Sequence, residues 1–230
     1  GSMNFAPSQR WGFFPAGSAG WVLSEENFFN KKWIQFMKLR GSIGLTGDDS
    51  VGGWQWQESY TAVKLNDNNN VLPAYFGKNP SKHVGLNYGN VVNPNLTWEV
   101  GEKWNAGIDV RILKGFSFSA DIFKEVRKEI FMDRGTIPTL MGLGNVTVQG
   151  NLGKMRNWGI DTSVDYNNQI NKDLFVSFKG TFTFAHNKIL EMDEPEFSLY
   201  PNRLKVGHSL NTIFGYVADG LFTNQDFIIT

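Results

Sequence analysis

Residues 174–185 read LFVSFKGTFTFA, and this stretch decides the fold class. Apolar side chains recur at every second position, interrupted once by Gly180, and Ser, Lys and Thr stand between them. Successive side chains of an extended strand point to opposite faces, whereas a helix would scatter these phenylalanines around its axis. The pattern therefore predicts a β-strand with one apolar wall and one polar wall.

The same alternation recurs along the chain, and no convincing helix lies between the alternating segments. It predicts six strands, near residues 11–23, 36–46, 101–113, 115–126, 157–168 and 173–186. Most of these exceed the roughly 5–6 residues typical of strands in globular proteins. Eleven residues at about 3.3 Å each, tilted by roughly 45°, cross about 25 Å, which is the height of the apolar band of an outer-membrane barrel.

Large aromatic side chains fall near the ends of these predicted strands. Trp158 and Tyr166 bracket one strand on its apolar face, and Trp104 opens another. Trp and Tyr suit a membrane interface because the ring is apolar while its N–H or O–H stays wet. A large soluble sandwich whose inner face carries the same residues is the alternative interpretation.

The connections between the predicted strands alternate between short and long. Short links join 11–23 to 36–46, 101–113 to 115–126, and 157–168 to 173–186, whereas the long loops cover 47–100, 127–156 and 187–212. A transmembrane barrel alternates in this way, with tight periplasmic turns and long extracellular loops, and a Greek-key sandwich has no reason to. Because the smallest membrane barrels need about 8 strands, the predicted all-β fold is an up-and-down meander, an arc of six to seven strands of a larger transmembrane antiparallel β-barrel.

Composition excludes several classes of function. The chain has 230 residues, a formal net charge of zero and no cysteine. Zero net charge argues against a nucleic-acid-binding protein, and the absence of cysteine excludes a disulfide scaffold or a thiolate metal site. The mean hydropathy is −0.30, but this value does not exclude a membrane barrel, whose alternating strands average to near neutrality.

No constellation of catalytic or metal-ligating residues is recognisable in the sequence. The three histidines are far apart and lack metal-ligand spacing. The acidic clusters at 48–49 and 191–196 lack the spacing of a calcium loop. There is also no nucleophile elbow and no glycine loop that would cradle a phosphate. We therefore expect neither an enzyme nor a metal or cofactor site.

The loop 47–100 is the candidate substrate-binding region, because it is rich in aromatic and amide side chains. Flat aromatic faces can stack on sugar rings, and amides can bond to hydroxyl groups. The candidate residues are Trp54, Trp56, Tyr60, Tyr75 and Phe76. The favoured interpretation is that these rings form a small core for the loop itself, since a long loop needs one.

The polar positions of the strands form a second candidate set. In a barrel they would face the lumen, where charges are tolerated, whereas Arg or Lys facing lipid at mid-depth would cost about 2–4 kcal/mol. The predicted lumen-facing residues are Asn105, Asp109, Arg111, Asp121, Asp161, Asp165 and Lys179. None of them can be assigned a substrate role from the sequence.

Five segments carry a family resemblance in collinear order. They are GSMNFAPSQRWGFFPAGSAGWVLSEENFF (1–29), WIQFMKLRGSIGLTGDD (33–49), NPNLTWEVGEKWNAGIDVRILKGFSFSADIFKEVRKEIF (93–131), GNLGKMRNWGIDTSVDY (150–166) and VGHSLNTIFGYVADGLF (206–222). Each resembles a segment of the SusC/RagA family of TonB-dependent outer-membrane transporters. Any one match could be chance, but five in order are specific.

The resemblance implies a barrel of about 22 strands with an N-terminal plug in its lumen. It implies energy supply by the TonB system, a SusD-like surface lipoprotein as partner, and import of glycan or peptide fragments. It also implies localisation in the outer membrane of a Gram-negative, Bacteroidetes-like cell, in contact with its lipid.

The chain departs from the complete family pattern, because a TonB box, a plug, the N-terminal barrel strands and the C-terminal strand are not recognisable. We therefore expect part of the barrel of a transporter, with long extracellular loops that could contact the lipoprotein. The alternative from another class is a soluble all-β module that presents aromatic loops to glycans.

Overall fold

The computed structural model of the chain describes residues 1–62, 74–76, 81–83, 86–112, 115–137, 148–197, 199–218 and 220–221. Its strands are β1 (Ala16–Val22), β2 (Ile34–Asp48), β3 (Ser59–Ala62), β4 (Ala74–Phe76), β5 (Ser81–His83), β6 (Leu86–Asn90), β7 (Glu99–Ile112), β8 (Phe116–Asp133), β9 (Gln149–Gln169) and β10 (Phe175–Glu191). Short 3₁₀ helices occupy Leu23–Glu25 and Pro201–Arg203. Within the described ranges, no helix is both long enough and apolar enough to cross a membrane.

The six long strands form one antiparallel sheet in the order β1-β2-β7-β8-β9-β10. Between β2 and β7 the chain forms two small antiparallel two-stranded sheets, β3 with β6 and, between them in the chain, β4 with β5. Each long strand therefore pairs with the next long strand in the chain, as in an up-and-down meander. The predicted all-β antiparallel meander is confirmed.

Strands β2, β8, β9 and β10 extend further than the sequence pattern predicted, whereas β1 (Ala16–Val22) is shorter than the predicted 11–23. Residues 127–133 and 149–156 belong to β8 and β9, so the predicted loop 127–156 is too long, and β10 continues to Glu191, into the predicted loop 187–212. The prediction relied on alternating side chains, and that alternation stops where the backbone ladder still continues. A register shift between Arg127 and Ile130 marks the change.

The connections fall into two groups at opposite ends of the sheet. Residues 49–98, 134–148 and the segment after Glu191 leave one end, which we call the long-loop end. Residues 23–33, 113–115 and 170–174 join strands at the other, the short-turn end. Gly115 in the tightest of these turns has φ +76°, and a Cβ there would lie 1.7 Å from the carbonyl oxygen of Asn167. Only glycine fits this position.

A small hydrophobic core lies at the long-loop end. Phe5, Val51 and Leu96 are buried, and Trp98 and Phe131 pack against them. The rings of Phe5 and Trp98 are 5.0 Å apart, and the indole N–H of Trp98 donates to a backbone carbonyl of the N-terminal segment, that of Gln9, over 3.1 Å. The first residues of the chain are thereby fixed to the ends of the strands.

Candidate functional site: the polar face and the long-loop end

Strand register places the alternating residues on two common faces. Directly paired residues of neighbouring strands lie on the same side of a sheet. Asp121 is paired with Gly107 and Asp161, and Asp165 with Lys179. By this criterion one face, which we call the polar face, carries all seven residues predicted to face the lumen, namely Asn105, Asp109, Arg111, Asp121, Asp161, Asp165 and Lys179.

Arg40 is the centre of an ion-pair network on the polar face. Its Nε lies 2.8 Å from Oδ2 of Asp109, and its Nη2 donates to Oδ2 of Asp121 over 2.8 Å. The hydroxyl of Ser119 donates to Oδ1 of Asp109 over 2.8 Å. One guanidinium therefore joins three strands, β2, β7 and β8. Arg40 was not among the predicted lumen-facing residues.

Gly107 leaves the space through which this network forms. It is paired with Arg40 on one side and with Asp121 on the other. A Cβ at Gly107 would lie 2.4 Å from Oδ1 of Asp121 and 3.0 Å from Cζ of Arg40. The side chains of β2 and β8 thus meet above a strand that has no side chain at that point. A glycine inside a strand often marks such a close approach.

A second network surrounds Arg127 nearer the long-loop end. Its guanidinium nitrogens lie 3.4 Å from Oε1 of Glu125, 3.9 Å from Oε2 of Glu99 and 4.0 Å from Oδ2 of Asp48. The other Glu99 oxygen accepts the backbone N–H of Phe131 over 3.0 Å. This network connects the ends of β2, β7 and β8, where the long loops begin.

The remaining predicted lumen-facing residues have weaker contacts. The guanidinium of Arg111 lies over the ring of Phe36, 5.5 Å from its centre. Lys179 Nζ is 3.8 Å from Oδ1 of Asp165, and the Lys179 side chain is 68% exposed. Asp161 forms no ion pair within the described part of the chain. These three side chains are therefore less tied to the sheet than Asp109 and Asp121.

The loop aromatics are brought together only in part. The rings of Trp54 and Trp56 are 6.3 Å apart, and Trp54 has φ 62° and is 54% exposed. Tyr60 is also exposed, and its hydroxyl donates to Glu58 over 3.2 Å. Tyr75 and Phe76 lie in β4, but their side chains are outside the described part of the structure.

The interpretation of these rings as a core of their own loop stays a prediction, because residues 63–73, 77–80 and 84–85 of that loop lie outside the described part of the chain. Within the described residues, the buried core at this end consists of Phe5, Val51 and Leu96. The N-terminal segment folds back over the strand ends and supplies Phe5 to this core. Trp54 and Tyr60 are each 54% exposed.

A cavity of about 520 Å³ lies at the long-loop end and is lined by valine and leucine side chains as well as by polar ones. Amide side chains, one carboxylate and one guanidinium line it, among them Asn93, Asn95, Glu129, Arg134, Gln149 and Asn151. The backbone N–H of Asn93 donates to the carbonyl of Gln55, which stands between the two tryptophans, over 3.4 Å. The side chain of Asn151 bonds the backbone of Thr97 in both directions, over 2.9 and 3.0 Å. The sequence analysis missed this cavity, because its lining comes from three distant segments.

Glu129 lines the cavity in a strained backbone conformation. It has φ 55°, which a residue other than glycine adopts only at a cost of about 1–3 kcal/mol. The strain coincides with the register shift in β8, which releases the Glu129 side chain from the strand alternation. The carbonyl of Glu129 accepts the Asn151 amide over 2.8 Å, which helps to hold this conformation.

The opposite face of the sheet is apolar and exposed over its whole width. Trp104, Ile122 and Phe182 are 54%, 60% and 63% exposed. Their neighbours on the same face include Trp21, Leu39, Ile43, Phe116, Trp158, Phe178 and Phe184. No second layer covers this face within the described residues. We call it the apolar face.

Comparison with known proteins gives a consistent result. A family model described as "TonB dependent receptor-like, beta-barrel" matches residues 2–222. The chain is 29% identical over 235 residues to the TonB-dependent receptor SusC of Bacteroides thetaiotaomicron, covering 98% of the chain and 22% of that protein. It is 27% identical over 225 residues to the TonB-dependent receptor P39 of Formosa agariphila, covering 96% of the chain and 20% of that receptor.

Solved structures show the same fold. A structure of the RagAB peptide transporter matches with a TM-score of 0.70 at 20% identity, over 90% of the chain and 22% of its counterpart. The RagAB peptide importer in its 'closed-closed' state matches with a TM-score of 0.69, also at 20% identity, over 90% of the chain and 22% of its counterpart. The chain spans about a fifth of the length of the relatives it matches. It therefore belongs to the family of TonB-dependent receptor β-barrels, as its resemblance to the SusC/RagA members implied, and its six-stranded meander is an open arc of that fold.

Proposed function

We propose that the chain forms six neighbouring strands in the outer-membrane barrel of a TonB-dependent importer. The apolar face meets lipid and the polar face lines the lumen. The observation that carries this proposal is the exposure of the whole apolar face, where Ile122 and Phe182 are 60% and 63% exposed. So large an apolar surface is stable in lipid and would promote aggregation in water.

The same geometry argues against the soluble glycan-binding module. A sandwich would bury the apolar face beneath a second sheet. The only other sheets in the described residues are the short two-stranded sheets of β3 with β6 and of β4 with β5. Strands of 14 to 21 residues, as in β7 and β9, are also much longer than a sandwich requires.

Two kinds of polar residue have different roles in this proposal. Arg40 pairs with both Asp109 and Asp121 and thereby holds three strands together. Asp161, Arg111 and Lys179 are less engaged by other charges, so they are available to whatever occupies the lumen. We assign the first group to the wall and the second to contacts with a plug or a passing substrate.

The long-loop end faces the outside of the cell, because outer-membrane barrels carry their long loops there. The exposed Trp54 ring, its neighbour Trp56 and the cavity all lie at that end, and the hydrogen bond from Asn93 to Gln55 links the cavity lining to the segment between the two tryptophans. Aromatic faces stack on sugar rings, and amides bond equally well to hydroxyl groups and to peptide backbone. We therefore propose oligosaccharides or peptides as the imported substrates, captured with a SusD-like surface lipoprotein and driven by the TonB system.

Uptake measurements test this proposal. We expect cells whose sole copy of the receptor is wild type to take up labelled oligosaccharides or oligopeptides only when TonB is present. Replacing Trp54 and Trp56 by Ala should lower uptake several-fold, because the stacking surface is lost. Trp33→Ala is the matched control, since Trp33 is 76% exposed but lies at the short-turn end.

Three outcomes would overturn the proposal. The protein could fractionate with soluble proteins, or uptake could persist without TonB. The double variant could also transport as well as the Trp33 control, which would remove the tryptophan pair from the binding region. Boiling-dependent gel mobility of each variant shows that the barrel is folded before uptake is compared.

A further inference from the structure

The apolar face ends differently at the two ends of the sheet. At the short-turn end its last side chains are uncharged, with Ile112, Phe116 and Tyr166 in register across three strands. At the long-loop end, positively charged side chains follow the last apolar ones on this face. Lys124 lies in β8 between Trp104 and Trp158, and beyond this level the face carries Arg156 and Lys188.

These three cations are neighbours. Arg156 of β9 is directly paired with Lys188 of β10 and, on its other side, with Val126 of β8. Lys124 is two residues from Val126 and is therefore diagonal to Arg156. Like charges directly opposite each other destabilise a sheet. The arrangement calls for a compensating anion.

No carboxylate within the described residues supplies that compensation. The two acidic residues of this region are already engaged, Glu102 with Lys128 and Glu191 with Lys154 over 2.8 Å. Lys124, Arg156 and Lys188 form no ion pair with any described residue. The Nε atom of Arg156 is moreover shielded from solvent without a hydrogen-bond partner among those residues.

An aromatic and apolar protein surface lies next to these cations, on the side of the sheet centre. Trp158 packs edge-on against Phe184, with ring centres 5.7 Å apart, and 6.3 Å from His186. Ile122 and Ile160 continue the same face toward the membrane centre. The surface therefore presents three cations above an aromatic belt and an apolar band, which is the complement of a phosphate headgroup attached to acyl chains.

We propose that Lys124, Arg156 and Lys188 bind the phosphate groups of a phosphorylated glycolipid in the outer leaflet. The inference rests on the proposed function, which places the apolar face in lipid and the long-loop end outside the cell. The guanidinium and ammonium groups donate charge-assisted hydrogen bonds to phosphate oxygens. The acyl chains lie against Ile122, Trp158 and Phe184. Because the apolar face itself ends in uncharged side chains at the short-turn end, this recognition is restricted to one leaflet.

Native mass spectrometry of the receptor purified from outer membranes in mild detergent tests the proposal. The probes are bisphosphorylated lipid A and the same lipid after removal of its phosphates. We expect wild type to bind the phosphorylated form roughly tenfold or more tightly than the other, from three charge-assisted contacts. The variant K124Q/R156Q/K188Q should lose most of that preference, and added salt should lower wild-type binding.

A matched control removes three cations from the short-turn end, with the variant K31Q/K32Q/K172Q. It has the same change in net charge and should keep the wild-type preference. Equal retention of lipid A by wild type and the K124Q/R156Q/K188Q variant would overturn the proposal. Equal binding of both lipids to wild type would do so as well, and so would displacement by millimolar inorganic phosphate alone, because the site would then recognise free phosphate.

Folding and function are checked separately. Heat-modifiable gel mobility shows whether each triple variant forms its barrel, and the single variant K188Q replaces the triple if it does not. A receptor that resides in the outer membrane and imports substrate, but shows no lipid preference, contradicts only this inference. A receptor found outside the outer membrane contradicts the proposed function itself.

Discussion

The two faces of the sheet are built from alternate residues of the same strands, yet they are stabilised in opposite ways. The polar face is joined across strands by ion pairs around Arg40 and Arg127. The apolar face forms few contacts beyond ring pairs such as Trp158 with Phe184. The polar face is stabilised by contacts within the chain, whereas the proposed function assigns the covering of the apolar face to lipid. Substitutions should therefore differ in effect according to face more than according to strand.

The largest difference is expected from a charge placed at the middle of the apolar face. Ile108→Arg should lower the free energy of unfolding in lipid vesicles by about 2–4 kcal/mol, because the guanidinium would enter the bilayer core. Ile108 is paired with Leu39 and Ala120, well away from both ends. Asn105→Arg on the polar face of the same strand is the control and should cost under about 1 kcal/mol. Equal costs in urea titrations would mean that the faces are assigned wrongly.

A smaller loss is expected when the centre of the polar network is removed. Arg40→Met leaves Asp109 and Asp121 close together without their cation. All three side chains are 21–34% exposed, so water screens part of the repulsion, and we expect a loss of about 1–2 kcal/mol in the unfolding free energy. Lys38→Met removes a cation from the same strand and face and should have little effect. If Lys38→Met costs as much, net charge rather than the network is what matters.

Filling the space above β7 should have a smaller effect still. Gly107→Ala would place a Cβ 2.4 Å from Oδ1 of Asp121, so that side chain must turn away from Arg40. We expect a loss of about 1 kcal/mol, the value of one charge-assisted contact in a half-exposed site. Gly41→Ala is the control, because its Cβ would meet only the carbonyl of Asn105 at 4.0 Å.

Combining the glycine substitution with Arg40→Met tests the cause of that loss. If the cost of Gly107→Ala arises from the broken contact, most of it should disappear in the double variant. An unchanged cost would indicate that the backbone of β7 itself resists the methyl group.

The smallest effect is expected at the edge of the polar face. Lys179→Met removes an ion pair of 3.8 Å whose lysine side chain is 68% exposed. Exposed pairs of this kind contribute under about 0.5 kcal/mol. A loss above about 1 kcal/mol in the same urea titration would show that Lys179 is engaged by a group outside the described residues. Asp165→Asn should then have a smaller effect than Lys179→Met.

The two faces were predictable from the sequence because alternation is a local property. Phe178 and Lys179 lie on opposite faces for the simple reason that they are adjacent in an extended strand. Alternation of apolar and polar residues did not predict the parts of the strands that lie beyond the apolar band. Lys154 and Arg156 carry no apolar alternation, so that part of β9 was predicted to be loop, although its backbone stays paired with β8 and β10.

Which side chains meet in the candidate sites depends on the register between strands, and the alternation of residues does not determine that register. Arg40 has the polar parity, but its partners are 69 and 81 residues further along the chain. The sequence did contain one indication of this network. Gly107 lies in the middle of a strand, and such a glycine often marks a place where a neighbouring side chain passes over the strand. The cavity at the long-loop end had no comparable signal, because Asn93, Glu129 and Gln149 meet only after the sheet has formed.

The length of β9 has a consequence for anything that binds outside the cell. Residues 149–157 lie beyond the level of Trp158 and rise by about 20 Å at a tilt of roughly 45°. In the proposed orientation this part of the barrel wall extends beyond the membrane, and the long loops are held at that distance from the lipid headgroups. A partner anchored by a lipid must bridge that height with at least about six extended residues before its folded part touches the loops. The length of such a partner's tether therefore limits which loops it can reach, in addition to the shape of its binding surface.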